Sequence, residues 1–326
     1  MTATLRGPWH AGPVSDHFDG MRFLNPAGPS HPDAWTSLRW VATRERRPWP
    51  PWVEVAPAPP PPRRVRDLRV TWVNHATVLV QVAGLNVLLD PVWSDRVSPV
   101  AWAGPRRHHA PGVAFDALPP IDVVLVTHAH YDHMDAPTLR RLHDAFAPCA
   151  VAPLGLDVPL GYEVPGLAVR ALDWGEATEC GALRVTALPC RHWSQRYPAD
   201  RDLSLWASFR VDTPRGGLLL MGDTGFDGGA PYRAAAAGGP LRLAAIPIGA
   251  YAPRWHMRDE HQDPGEAAEG FRLAGARHAI ATHWGCFRMT DEGRDDPPAA
   301  LRAALTAEER GRFRVLRPGE GWDVPA

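Results

Sequence analysis

The sequence predicts an α/β protein, and three observations carry the prediction. Short runs rich in Val, Ile and Leu recur along the chain, bounded by Gly and Pro, as buried strands are. Segments with helical spacing alternate with them. Asp263-Pro264-Gly265-Glu266 opens one such segment with a capping residue, a Pro at the first helical position and a Glu at the third. The apolar run 121–126 passes directly into Thr127-His128-Ala129-His130-Tyr131-Asp132-His133, so a His/Asp-dense loop sits at a strand end, where a scaffold holds side chains rigidly.

In chain order, residues 1–66 are rich in Pro, Trp and Arg and weakly periodic. A short helix is expected over 35–46, and extended, partly polyproline II chain around Pro48-Trp49-Pro50-Pro51-Trp52 and over 57–62. Trp9, Trp35, Trp40, Trp49 and Trp52 are costly to expose together, so this extension is expected to lie on the body, residues 67–326, or on a partner subunit.

The body opens with strands over 68–73, 77–82 and 85–89, the last two joined at Ala83-Gly84 as a tight hairpin. Asp90-Pro91 ends the third, because Pro cannot continue the ladder. Residues 94–111 read as a long loop carrying Arg106 and Arg107, which become phosphate partners if the loop faces a site and a solvated basic turn if it does not. A helix is expected over 136–146 with Leu139 and 142–146 as its inner stripe. Further strands are expected over 183–188, 204–211, 218–221, 243–248 and 278–282. A helix is expected from Pro264 to about Ala274, stopped by Gly275, then another over 298–309 and a closing strand over 313–316.

The loop after residue 126 points to metal chemistry. Three imidazoles and a carboxylate supply the nitrogen and oxygen ligands that Zn²⁺ takes, and H-x-H-x-D-H lets alternate side chains converge. His128 and His130 would share one ion, and Asp132 and His133 a second. His192, Asp223 and His283 each follow a short apolar strand and are the candidates to complete the two sets. A lone His or Asp at a strand end is usually a cap; their recurrence after such a loop makes them candidate ligands.

The order of these elements resembles the metallo-β-lactamase superfamily, which implies an αββα four-layer sandwich with a binuclear site along one edge. Trp72-Val73-Asn74-His75-Ala76-Thr77, Asp90-Pro91-Val92-Trp93-Ser94, Leu118-Pro119-Pro120-Ile121-Asp122, His192-Trp193-Ser194, Gly222-Asp223-Thr224-Gly225, Ile246-Pro247-Ile248-Gly249-Ala250-Tyr251 and His283-Trp284-Gly285 together resemble the N-acylphosphatidylethanolamine-hydrolysing phospholipase D family. Phe23-Leu24-Asn25-Pro26 and Leu38-Arg39-Trp40 look like its N-terminal extension. Asn74 departs from the family's usual Gly, so the turn before His75 is expected to differ locally.

The resemblance implies that His128, His130 and His192 hold one Zn²⁺ and Asp132, His133 and His283 another, with Asp223 bridging. Other divalent transition metals would suit the same donors. Two such ions would generate a bridging hydroxide for in-line attack at a phosphodiester such as N-acylphosphatidylethanolamine. A lactonase or other ester hydrolase on the same site is the alternative. Asp132 and His261 are the expected catalytic groups, the second because the family pattern places a functional histidine there. His75 is expected to support the site without ligation, and Arg106, Arg107, Trp193 and Tyr251 to contact substrate.

Composition sets limits. Across 326 residues the hydrophobic share is 45%, and no run approaches the roughly 20 apolar residues of a membrane span. Nothing in residues 1–10 resembles a signal peptide, so a cytoplasmic enzyme is expected, with peripheral membrane contact and a homodimer as companions of a phospholipid substrate. All 35 basic residues are Arg, which excludes Schiff-base and P-loop chemistry, and a net charge of -1 gives no electrostatic case for nucleic acid. Cys149, Cys180, Cys190 and Cys286 form no C-x-x-C pair and read as reduced thiols.

Overall fold

Each half of the body builds one sheet by the same rule: antiparallel strands first, then parallel ones. A computed structural model gives the fold of residues 7–326; the first six residues of the extension lie outside the described residues. The first half supplies β1 (Leu68–Asn74), β2 (Thr77–Val82), β3 (Leu85–Leu89), β4 (Val123–Leu125), β5 (Cys149–Pro153) and β6 (Val169–Leu172). The second supplies β7 (Ala177–Cys180), β8 (Leu183–Leu188), β9 (Ser208–Thr213), β10 (Gly216–Leu220), β11 (Leu241–Pro247), β12 (His278–Thr282) and β13 (Phe313–Arg314). β14 (Gly321–Asp323) returns to the first sheet, which runs β14-β1-β2-β3-β4-β5-β6; the second runs β13-β12-β11-β10-β9-β8-β7. β3 is antiparallel to β2 and parallel to β4, and β10 is antiparallel to β9 and parallel to β11.

Period-2 alternation sorts the side chains into layers. Val78, Val80 and Val82 of β2 face Val185, Phe209, Leu218 and Leu220 in a core between the sheets. Leu79, Leu88 and Val124 point the other way, against Leu139 and Leu142 of α2 (Ala136–Phe146) and Leu160 of α3 (Asp157–Glu163). The outer face of the second sheet, with Leu219, Ala244 and Ile246, is covered by Tyr232 of α4 (Ala230–Ala237) and by Ala267 and Phe271 of α6 (Pro264–Ala274). Leu301 of α7 (Asp296–Ala304) completes that layer. The layers are helix, sheet, sheet, helix, the αββα sandwich expected, and β4, β5, β11 and β12 are almost wholly apolar because both of their faces are covered.

Several boundaries move. The apolar run 121–126 yields only a short β4, and the strand expected over 204–211 begins at Ser208. Along α2, Asp144 and Ala145 are exposed, so its inner stripe is Ala136, Thr138, Leu139 and Leu142. The helix expected over 298–309 is two: α7 ends at Ala304, the extended backbone of Leu305 breaks the run, and α8 (Glu309–Arg312) follows. The helix α6 has its full capping box and ends on Gly275 in the left-handed conformation.

The extension meets the body at separate points. Trp9 is buried with Leu203, and Gln81 and Asn86 donate to the carbonyls of Pro62 and Arg63 (2.7 and 3.1 Å), pinning the proline-rich stretch to the first hairpin. The short helix α1 (Ala34–Thr43) rests on α5 (Arg254–Met257). There Trp40 stacks on His256 and donates to Asp291 at 2.8 Å, and Trp49 donates to the Glu292 carbonyl at 2.9 Å. Trp35, Leu38 and Val41 stay exposed along one face of α1.

Candidate metal centre

The ends of β1, β3, β4, β8, β10 and β12 open at one edge of the sandwich, and every residue proposed there as a ligand leaves one of these ends. Turning the chain sharply enough requires unusual backbone: His75, Asp90 and His283 have φ of 41°, 38° and 58°, a conformation costing about 1–3 kcal/mol each for such residues. Two glycines let the ends close up. A Cβ on Gly222 would collide with Thr127, and one on Gly249 with the His283 carbonyl.

Three imidazoles form one set. His128 Nε2 lies 2.8 Å from His130 Nδ1, and His192 Nε2 lies 3.4 Å from that same atom. Their orientation is set from behind. His128 Nδ1 donates to Thr127 Oγ1 (2.9 Å), whose own proton goes to Asp90 Oδ2 (2.8 Å), and His192 Nδ1 donates to the Glu260 carbonyl (3.0 Å). Each Nε2 therefore presents a lone pair inward, as ligation requires. Burial above all, then the neighbouring imidazoles, keeps His130 down at about 3 and His128 well below its ordinary value; burial brings His192 to about 4.

The second set joins Asp132, His133 and His283, with His75 beside it. Asp132 Oδ2 is 2.9 Å from His75 Nε2, 3.5 Å from His133 Nε2 and 3.4 Å from His283 Nε2. His133 Nδ1 donates to Asp90 Oδ2 at 2.7 Å. Asp223 lies between the sets. Its Oδ2 is 4.0 Å from His128, 3.8 Å from His192 and 3.2 Å from His133, and its Oδ1 is 3.1 Å from His283. Burial pushes the Asp223 carboxyl up, and His283, His133 and His261 more than offset it, leaving it well below the usual carboxylate range. His133 and His283 are driven the other way: burial opposes protonation, but the facing carboxylates raise His133 well above its ordinary value and His283 to about 9.

His133 Nε2, His283 Nε2 and Asp223 Oδ1 are buried, mutually close and without a hydrogen-bond partner. The inward lone pairs of His128 and His192 and the unmatched Oδ1 of Asp223, facing buried imidazoles, fit a cation among them. Among the described residues, the groups able to hold a metal are His75, Asp132, His133 and His283; His128, His130 and His192; His128, His133 and Asp223; and His192, Asp223 and His261, each with ligand atoms within 4.8 Å of one another.

The other site residues fall into two groups. His261 is brought to the cluster, its Nδ1 3.9 Å from Asp223 Oδ2 and its ring stacked on His283 at 5.5 Å. Trp193 stands edge-on to His130 at 4.4 Å, with Arg201 over its ring. Tyr251 lines a cavity of about 700 Å³ with Trp40, Trp255 and Glu292. The two loop arginines find partners elsewhere. Arg106 pairs with Asp95 at 2.7 Å in solvent, and buried Arg107 donates to the carbonyls of Ser94 and Val92, bracing its own loop. Arg107 is thus committed within its own loop, whereas Arg106 bonds only through Nε and keeps the rest of its guanidinium in solvent.

Sequence reasoning missed the residues behind the cluster. Asp90, read only as a strand end, orients Thr127 and His133; its position after an apolar strand, like that of Asp223, was the available signal. Ser194 Oγ accepts from Ala129 N (3.2 Å), and buried Arg196, paired with Glu163, donates to the Met134 carbonyl (2.8 Å), so the segment after His192 also fixes the metal loop. Asn74 donates to the Val92 carbonyl at 3.1 Å, tying the His75 turn to the strand-end loop after β3.

Residues 85–284 match the family described as a β-lactamase superfamily domain. The metallo hydrolase Igni18 of Ignicoccus hospitalis superposes with a TM-score of 0.58 at 19% identity, over 78% of this chain and 97% of that one, and so shares the fold. Fold and cluster together define a metal-dependent hydrolase of the metallo-β-lactamase type. In sequence, the chain is 36% identical over 270 residues to N-acyl-phosphatidylethanolamine-hydrolyzing phospholipase D 1 of Caenorhabditis elegans, covering 79% of this chain and 76% of the relative. It is 30% identical over 231 residues to the mitochondrial N-acyl-phosphatidylethanolamine-hydrolyzing phospholipase D of Saccharomyces cerevisiae, covering 68% of this chain and 48% of that longer protein. The chain belongs to the β-lactamase superfamily and, within it, to the family of these N-acylphosphatidylethanolamine-hydrolysing phospholipases D.

Proposed function

We propose that the chain is a binuclear zinc phosphodiesterase of phospholipase D type, acting on N-acylphosphatidylethanolamine or a related phosphodiester. One observation carries the binuclear part: the Asp223 carboxylate lies within 4.0 Å of imidazoles from both sets. The substrate class is supported by the two relatives named for that hydrolysis. His128, His130 and His192 would hold one ion and Asp132, His133 and His283 the other, with Asp223 between them. These donors suit Zn²⁺, and other divalent transition metals share the preference. When bound, such ions lower the pKa of water toward about 7 and polarise a phosphoryl oxygen.

The chain's own contribution is positional and acid–base. Asp132, held by His75, orients the attacking water. His261, at the less buried side of the cluster, offers a ring N–H to the departing alkoxide; burial holds the imidazole well below its ordinary value, so it donates as the neutral ring. Trp193 offers an aromatic wall beside His130, and the exposed face of α1 offers an apolar surface for peripheral contact with a bilayer. Attack at phosphorus would release phosphatidic acid and an N-acylethanolamine with no covalent enzyme intermediate.

Elemental analysis of the purified protein, followed by assay on N-acylphosphatidylethanolamine, a bis-aryl phosphodiester and an acyl lactone, tests both parts. Two equivalents of transition metal and formation of phosphatidic acid are expected. Efficient lactone opening with every phosphodiester untouched would overturn the substrate class, and a single tightly bound ion would overturn the binuclear site.

A further inference from the structure

Two of the four cysteines meet across the sandwich. Cys149 opens β5 in the first sheet, Cys180 closes β7 in the second, and their sulfurs are 3.8 Å apart. The guanidinium of Arg170, on β6 beside them, lies 3.9 Å from Cys180 Sγ. Cys149 is partly open to solvent and Cys180 is buried. The thiolate is the reactive form of cysteine. The Cys180 thiol's hydrogen bond outweighs burial and, with Arg170, brings Cys149 down to about 6, while the same hydrogen bond pushes Cys180 up. Cys190 and Cys286 differ: both are fully buried, and burial raises each to about 12.

We propose that Cys149 and Cys180 are a redox-active dithiol, which a low-molecular-weight disulfide converts to a disulfide joining the two sheets. The Cys149 thiolate attacks one sulfur of R–S–S–R, forming a mixed disulfide and expelling RS⁻, which takes up a proton. Cys180 then loses its proton, its sulfur attacks Cys149 Sγ, and the second RS⁻ leaves with that proton. Two protein thiols and one small disulfide become one protein disulfide and two small thiols, so two electrons pass to the reagent. The sulfurs must close from 3.8 Å to about 2.05 Å.

The position of the pair determines what the bridge does. Cys149 is in register with Val123 at the start of β4, and the metal loop follows Leu125 at the other end. A bridge there fastens β5 of the first sheet to β7 of the second and leaves the metal centre alone. It links residues 31 apart and acts mainly by restricting the unfolded chain. The oxidised protein therefore melts higher at unchanged metal content.

Reduced full-length protein, incubated with glutathione disulfide and then denatured, alkylated and analysed by mass spectrometry, tests the proposal. Wild type should lose two of its four thiols, yield a linked Cys149–Cys180 peptide pair and retain no glutathione. C180S should keep one glutathione on Cys149, and C149S none. The melting temperature of wild type should rise by several degrees on oxidation and fall back with dithiothreitol, while C149S does not respond. Four free thiols after prolonged oxidation, glutathione stranded on wild-type Cys149, or linkage through Cys190 or Cys286 would each overturn it, and none depends on a variant folding.

Discussion

Asp90 and Asp223 occupy equivalent places in the two halves of the molecule. Each follows the strand, β3 or β10, at which its sheet passes from antiparallel to parallel pairing. Their surroundings separate them. Asp90 is wholly buried and its oxygens are filled by Thr127 N, Thr127 Oγ1 and His133 Nδ1. Burial accordingly pushes its carboxyl up, against the pull of His133. Asp223 leaves Oδ1 without a hydrogen bond among imidazoles that hold its charge. One fold position thus yields an orienting group in the first half and a candidate bridging ligand in the second, and the difference lies in which lone pairs remain free.

That contrast can be broken most severely at Asp223. Asp223→Ala should release both metals and take turnover to background, a loss above the roughly 10–100-fold in metal affinity typical of an outer hydrogen-bond partner; two ions retained with near-normal turnover would remove the bridging role. His261 lies in the short connection between α5 and α6. His261→Ala should keep both metals and lower kcat by about 10²–10⁴, less on an aryl phosphodiester whose leaving group needs no proton. Metal loss in that variant would make His261 a ligand, consistent with its place beside His192 and Asp223. Asp90→Asn tests the orienting half. An amide facing His133 Nδ1 favours the proton on Nε2, where a ligand needs a lone pair, so metal affinity measured by chelator competition should fall about 10–100-fold. The smallest effect is expected at Arg106, paired with Asp95 where both are more than half exposed: Arg106→Ala should change stability by less than about 0.5 kcal/mol and leave turnover on phosphodiesters intact.

How legible each part was follows the same physics. The hairpin at Ala83-Gly84, the helix α6 with its Asp263 cap, and the strands before His192 and His283 were readable because local pattern and local chemistry agree there. The candidate ligands were readable because their side-chain types announce them. Residues whose role depends on distant partners were not. Arg107 looks like any surface arginine until the loop folds its guanidinium onto Ser94 and Val92, and Asp90 looks like a strand stop until Thr127 and His133 arrive from further along the chain. The strands β5, β6, β7 and β14 were missed because they are short, three to five residues each, and are held by pairing with neighbouring strands more than by local pattern.

The pairing of β14 with β1 has a consequence for biosynthesis. Arg69 and Asp323 sit opposite each other and share an ion pair, yet are 254 residues apart. At about 5–20 residues per second, a ribosome needs roughly 13–51 s to traverse that interval. Throughout it the outer edge of β1 has no strand to pair with, and a bare edge is a template for other chains. On a polysome, neighbouring nascent chains expose that edge at the same stage of elongation. Slow codons between the segments encoding β1 and β14 should therefore lower the soluble yield more than the same codons before β1.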